Sequence, residues 1–328
     1  MSEAPSVSVI IPNYNGARFL GEAIDSVLSQ QGVAVEVIVI DDGSSDGSRA
    51  IIESYGARIR SIFQQNLGAC AARNAGLELA QGDYVKFLDS DDRLSPHCLS
   101  AQIEQSVALP VVSTGGKSIV YGDGALIDQN GAVITPSYFP DINAGTEATL
   151  PELIARSPLT SMPLHRASLL RAIGGFDVRI PAGQEYDLHL RLYFSGVTFV
   201  YQPTMCYQYR QHDTAGRIST SPHRQESFER RFDAYQRHVI LAEQYYQDAL
   251  PVAVCVAFAD IFWETGRFAV RCQQLSLANK YFSQSKALFT PAPVRANRLY
   301  RIACQLFGGV FTEQILMKVR RICRCFNV

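Results

Sequence analysis

Three carboxylates fall within four residues at Asp89-Ser90-Asp91-Asp92. They follow Tyr84-Val85-Lys86-Phe87-Leu88, a run with the length and the β-branched and aromatic content of a strand. The acids then sit at the carboxyl end of a buried strand, where open α/β sheets hold their ligands. Carboxylates this close repel one another unless a cation lies among them. Oxygen donors suit Mg²⁺ or Mn²⁺ rather than zinc, and such ions take the rest of their shell from water and substrate phosphates. The other reading of the same residues is a solvated turn, with Asp91 or Asp92 capping the helix near Pro96.

The elements needed to position these acids are legible on either side. Ser6 to Ile11 reads as a strand broken by Pro12-Asn13-Tyr14-Asn15-Gly16, and a helix follows with Phe19, Leu20, Ile24, Val27 and Leu28 on one face. Val35 to Ile40 is a second strand, ending in Asp41-Asp42-Gly43-Ser44-Ser45-Asp46-Gly47 before a helix from about Ser48. A weaker strand at Arg60–Phe63 leads through Asn66-Leu67-Gly68 into a helix with Arg73 and Asn74. This β-α-β-α order predicts a doubly wound, mostly parallel α/β sheet. Further strands are expected over Ile119–Asp128, closed by an Asp128–Gly131 turn, and over Val197–Tyr209, where Pro203 interrupts. Between them a helix starts near Gln184-Glu185-Tyr186-Asp187. From Phe228 onward the apolar spacing is helical throughout. The reading divides the chain into an α/β domain, 1–221, and a C-terminal helical region, 222–328.

Five motifs, in order, resemble the family-2 glycosyltransferases of the GT-A fold. They are Pro12-Asn13-Tyr14-Asn15; Asp41-Asp42-Gly43-Ser44-Ser45-Asp46; Asn66-Leu67-Gly68 with Ala72-Arg73-Asn74; Leu88-Asp89-Ser90-Asp91-Asp92; and Gly174-Gly175-Phe176-Asp177 with Glu185-Tyr186-Asp187-Leu188. The resemblance covers roughly residues 6–220. It implies an inverting transfer of a sugar from a nucleoside-diphosphate donor, a UDP-sugar first among them, with Mn²⁺ or Mg²⁺ as cofactor. The acceptor it implies is a hydroxyl of a glycan or a lipid-linked precursor in cell-surface polysaccharide synthesis. Asp91 matches the metal ligand, Asp89 the residue reaching ribose or metal-bound water, and His212 a position that can complete the metal shell. Pro12, Tyr14, Asn15, Asn66 and Ser90 fall on donor-binding positions. Asp42 matches the base-recognising carboxylate, and Arg73 stands beside the pyrophosphate or in a salt bridge to a nearby acid. Glu185 occupies the place of the general base, where the family usually carries Asp; Asp187 is the runner-up, its other duty being first-turn helix stabilisation. Asp46 reads as a helix cap.

Composition narrows the alternatives. The chain has 328 residues, 47% hydrophobic and 19% charged, with net charge −1. No apolar run approaches the ~18 residues of a membrane span, and no signal peptide is evident. A cytoplasmic protein is expected. The eight cysteines form no Cys-x-x-Cys pair and read as reduced, mostly buried thiols. Pro12–Gly16 is not the Gly-rich phosphate loop a nucleotidyltransferase would need. The competing reading is a catalytically inactive nucleotide-sugar-binding scaffold of the same fold. Charge is lopsided: from Thr265 onward there are 11 Lys/Arg and one acid, Glu313. Two basic amphipathic helices, about 292–307 and 312–325, suit an anionic membrane surface. Their apolar stripes could equally pack internally. Nothing else in the chain supports nucleic-acid binding.

Overall fold

A computed structural model describes residues 5–109, 117–180, 183–212, 225–247, 249–290 and 298–325. The boundary expected at 221/222 and the loop around Arg217 lie outside them. The chain divides into two compact units. The first comprises Met1–Ala148, Pro158–Arg179 and Gln184–Thr214; the second comprises Thr149–Ser157, Ile180–Gly183 and Ala215–Val328.

The first unit is built on one nine-stranded sheet. β1 (Ser6–Asn13) lies between β2 (Ala34–Asp41) and β4 (Tyr84–Phe87), and β3 (Arg60–Phe63) pairs on the far side of β2, all in parallel. β1 is buried along nearly its whole length, with Val7, Val9, Ile10 and Ile11 at 0% exposure. A strand covered on both faces reads as a continuous apolar run rather than an alternating one. Helices α1 (Leu20–Leu28), α2 (Ser48–Ser54) and α3 (Ala69–Leu79) make the crossovers. The order β3-β2-β1-β4 reverses direction at β1/β4, which opens the ligand crevice beyond the carboxyl ends of those two strands.

Past β4 the sheet turns mixed. It continues through β8 (Pro163–Arg166), β6 (Ser118–Ile127), β9 (Thr198–Arg210) and β5 (Arg93–Leu94), with β7 (Val133–Thr135) hairpinned onto β6. β8 runs antiparallel to both of its neighbours, whereas β9 runs parallel to β6. Pro203 does not interrupt β9. Pairing slips between Tyr121↔Tyr201 and Asp123↔Met205, so Pro203 sits in a bulge where its missing N–H removes no ladder bond. Gly122 faces this bulge. A Cβ there would stand 2.0 Å from Cys206 Sγ and 2.5 Å from the Thr204 carbonyl oxygen.

Helix α4 (Cys98–Ala108) begins after His97 in the left-handed region, with no side-chain cap, so neither Asp91 nor Asp92 caps it. Helix α5 (Leu150–Ala155) carries a capping box between Thr149 and Glu152 and belongs to the second unit. Helices α6 (Ala167–Ala172) and α7 (Gln184–Phe194) return to the first. The rest of the second unit is helical: α8 (Gln225–Tyr246), α9 (Val252–Arg271), α10 (Leu275–Leu288), α11 (Arg298–Phe307) and α12 (Gly309–Cys325). Its core joins Trp263, Phe262, Phe258, Tyr281 and Phe282, all nearly inaccessible. Cys70, Cys98, Cys206, Cys255, Cys272 and Cys304 are free thiols; burial pushes Cys70 and Cys98 up to about 12. Among the described residues no helix is long and apolar enough to cross a membrane.

Candidate active site at the ends of three parallel strands

The loops after β1, β2 and β4 converge on the β1/β4 crevice. Asn13, buried at the end of β1, donates through Nδ2 to Asp41 Oδ2 at 2.9 Å and to Ser44 Oγ at 3.1 Å. Asn15, at φ 53°, accepts from the Ser45 N–H at 2.7 Å, and its own N–H donates to Ser44 Oγ at 2.9 Å. A left-handed asparagine is tolerated where its amide closes such a local turn. Pro12 is buried beneath this loop and Tyr14 projects from it, 52% exposed. Gly16 lets the first and third loops meet. A Cβ there would stand 2.3 Å from Asn13 Oδ1 and 2.7 Å from Ser90 Oγ.

The acids of the second loop divide their duties. Asp41 is tied inward to Asn13 and to the Ser44 N–H at 2.9 Å. Asp42 accepts three bonds, from Gln64 Nε2 at 2.7 Å, the Leu67 N–H at 2.9 Å and the Gly68 N–H at 2.8 Å. It therefore shapes the Asn66-Leu67-Gly68 turn, and of a carboxylate's roughly four acceptor sites about one remains for a ligand. Asn66 itself is exposed. Asp46 accepts from the Ser48 and Ala17 N–H groups. Partial burial raises its pKa, but these bonds to the charged form outweigh it and leave the carboxyl low.

The three acids after β4 have different partners. Each has its own counter-group. Asp89 Oδ1 accepts from Arg73 Nη2 at 2.6 Å. Asp91 Oδ2 lies 3.0 Å from His212 Nε2. Asp92, 1% exposed, accepts from the backbone N–H of Arg210 at 2.8 Å. The expected grouping of Asp89 with Asp91 and His212 thus includes one acid that is paired to Arg73 and one that faces His212. Among the described residues no three His, Cys, Asp or Glu side chains gather as a metal site. The pair Asp91–His212 remains.

Arg73 makes the salt bridge to Asp89. It is 5% exposed, and its Nη1 also donates to Gln184 Oε1 at 2.6 Å. Gln184 opens α7, so one guanidinium ties the Asp89 loop to the helix start that carries half-buried Glu185. Asp187, in contrast, is 4% exposed and receives Arg191 Nε at 2.8 Å. Arg191 in turn donates to the carbonyl oxygens of Ile173 and Gly175. Asp187 thus locks the Gly174-Gly175 turn through Arg191.

Arg210 is the residue sequence reasoning missed. It is 1% exposed and donates to the carbonyl oxygens of Asp91 at 3.0 Å and Gln129 at 3.2 Å, and to Glu22 Oε2 at 2.6 Å. Its guanidinium lies 4.5 Å over the Phe19 ring, which also packs 4.8 Å from the His212 ring. The available signal was an arginine two residues before a candidate ligand, at the end of a strand.

Residues 8–151 match the family model described as Glycosyl transferase family 2. The described part of the fold is similar to S. aureus TarS residues 1–349 in complex with UDP-GlcNAc, at TM-score 0.68 and 17% identity over 96% of this chain and 92% of that one. An uncharacterized glycosyltransferase of Rickettsia bellii is 32% identical over 231 residues, 68% of this chain and 32% of the relative. The putative teichuronic acid biosynthesis glycosyltransferase TuaG of Bacillus subtilis is 40% identical over 130 residues, 38% of this chain and 52% of the relative. Residues 8–151 form a family-2 glycosyltransferase domain, and the chain has the GT-A fold. It spans about a third of the length of the first curated relatives it matches.

Proposed function

We propose that this chain is an inverting, metal-dependent glycosyltransferase that moves a hexosyl or N-acetylhexosaminyl group from a UDP-sugar to a hydroxyl of a glycan or lipid-linked acceptor in cell-envelope polysaccharide synthesis. The observation that carries the reading is the 3.0 Å approach of Asp91 to His212 from 121 residues away, at the switch point of the sheet. The donor set fits a divalent ion that keeps much of its shell for phosphate and water. Its imidazole nitrogen favours Mn²⁺ over the all-oxygen preference of Mg²⁺. Asp91 and His212 would hold the ion, which when bound neutralises the charge left on the departing diphosphate. The Asn13–Ser45 loop and the last acceptor site of Asp42 would receive the nucleoside. Glu185 would take the proton of the acceptor hydroxyl as its oxygen attacks the anomeric carbon from the face opposite the leaving group. The Arg73 link from Asp89 to Gln184 fixes the helix start carrying that base relative to the Asp89–Asp92 loop. The similarity to a structure holding UDP-GlcNAc makes that nucleotide sugar the first donor to try.

The test pairs calorimetry of UDP-GlcNAc and UDP with turnover assays, with and without Mn²⁺. Asp91→Ala is expected to remove the metal-dependent part of binding. Glu185→Gln is expected to keep donor binding and lose turnover by ~10²–10⁴-fold, the usual share of general-base catalysis. Full activity in excess chelator would refute the metal reading. Active Glu185→Gln with inactive Asp187→Asn would reassign the base. Donor binding without turnover for any acceptor or water would identify the inactive scaffold instead.

A further inference from the structure

Helices α11 and α12 present their apolar residues outward. Leu299 is 79% exposed, Leu306 70%, Phe307 59% and Phe311 50%, and Ile302 and Ile315 are exposed beside them. The side the pair buries is the small and polar one: Cys304, Gly309, Thr312 and Glu313. Glu313, 2% exposed, accepts from Arg267 Nε at 2.7 Å and from the Tyr300 hydroxyl, which in turn accepts from Trp263 Nε1 at 3.3 Å. Gly309 rests on the Phe282 ring, 2.7 Å from where a Cβ would be. These contacts pin the hairpin from its polar side. Rotating the apolar stripe inward would break the Glu313 ion pair and lift Gly309 off the ring.

The charge around the stripe has one sign. Glu313 is the only acid after Glu264, and its carboxylate is spent on Arg267. Lys318 is exposed and Arg301 half-buried at the margin of the stripe. Arg295 and Phe326 lie outside the described residues, as do the side chains of Arg298 and of residues 319–325. An outward apolar stripe on helices whose described free charges, Arg301 and Lys318, are both cationic matches a surface that offers hydrocarbon beneath a layer of anions. A second copy of the same stripe would set like charges against each other. No described helix is able to span a bilayer, so the hairpin lies along the surface. We propose that α11 and α12 dock flat on an anionic lipid bilayer, with Leu299, Leu306, Phe307 and Phe311 at the acyl boundary and Arg301 and Lys318 at the phosphates.

The test is co-sedimentation of the full chain with phosphatidylcholine vesicles, with and without phosphatidylglycerol, at low and high salt. Binding is expected only with phosphatidylglycerol and is expected to weaken as salt shortens the Debye length. Lys318→Gln should lower the partition coefficient about fivefold, the worth of one cation near such a surface. The double variant Leu306→Gln/Phe307→Gln should lower it about tenfold or more. Both changes lie on the solvent side, so the thermal melt should not move. Equal binding to neutral vesicles overturns the proposal, as does unchanged binding by the double variant. A wild-type dimer in sedimentation velocity that the double variant dissolves, with no vesicle binding, also overturns it and assigns the stripe to a second copy.

Discussion

Replacing Arg210 by methionine is expected to weaken the fold and the proposed metal site together, and the two effects can be separated. Methionine keeps most of the side-chain length and leaves the backbone N–H bond to Asp92 in place. It removes the bonds to the Asp91 and Gln129 carbonyl oxygens and to Glu22. A hydrogen bond involving a charged group is worth ~1.5–3 kcal/mol. Glu22 is half exposed and regains water, so its share is small. The two carbonyl bonds then set the loss at about 3 kcal/mol at the low end of that range, a fall of roughly 6–12 °C in Tm for a domain of this size. The Asp91 loop also loses the anchor that orients its carboxylate toward His212. Changes one step behind a ligand typically cost ~10–100-fold in metal affinity, and Mn²⁺ binding by calorimetry should show that. The control is Arg191→Met. Arg191 likewise serves two carbonyl oxygens and one carboxylate, but at the Gly174-Gly175 turn. Its loss should lower Tm and leave Mn²⁺ affinity unchanged. If Arg210→Met leaves Mn²⁺ affinity at the wild-type value, or if both variants weaken it equally, the positioning argument for Arg210 is wrong.

Two further outcomes follow from buried groups. Arg73→Met frees both Asp89 and Gln184, and the loosened start of α7 should lower kcat about 10²-fold with little change in Mn²⁺ affinity; an unchanged kcat in steady-state assays would show that the link does not position Glu185. His165 and His189 are fully buried and stacked, and burial holds His189 at about 3 and His165 well below its ordinary value. Both stay neutral in the fold while the unfolded chain binds protons near pH 6.5, so their stability is complete above about pH 7 and is lost as pH falls below 6.5. At pH 5 the loss is about 2 kcal/mol for each. Urea melts at pH 8 and pH 5 should show His189→Asn losing about 2 kcal/mol less than the wild type, and identical pH dependence in both would refute the assignment.

The parallel half of the fold was legible because its signals are local. Each of β1, β2 and β4 is an apolar run ending in turn residues, and the order of elements dictates the parallel pairing. The Asp128 turn and the Asp46 bonds at the start of α2 were readable for the same reason, since donor and acceptor lie within four residues. Pro203 misled because a proline forbids one ladder bond but not a strand, and the bulge that absorbs it depends on Gly122, 81 positions earlier. The tail was left open for a different reason. Helical spacing identifies an apolar stripe but not which side of the helix turns inward. Glu313 and Gly309 decided that by finding Arg267 and Phe282.

The acids of the site were visible in the sequence, but their individual tasks were not, because each task is set by a partner far along the chain. Asp89, Asp91 and Asp92 look interchangeable as a string. Arg73, His212 and the backbone of Arg210 distinguish them. The counter-groups are of three kinds: a guanidinium, an imidazole and a backbone N–H. They differ in one chemical respect that bears on catalysis. A guanidinium and a backbone N–H are donors only and have no lone pair to offer a cation. A neutral imidazole has one. Among the partners described for the three acids, only His212, opposite Asp91, can turn from counter-group into fellow ligand, and this difference favours Asp91 over Asp89 in the proposed metal site.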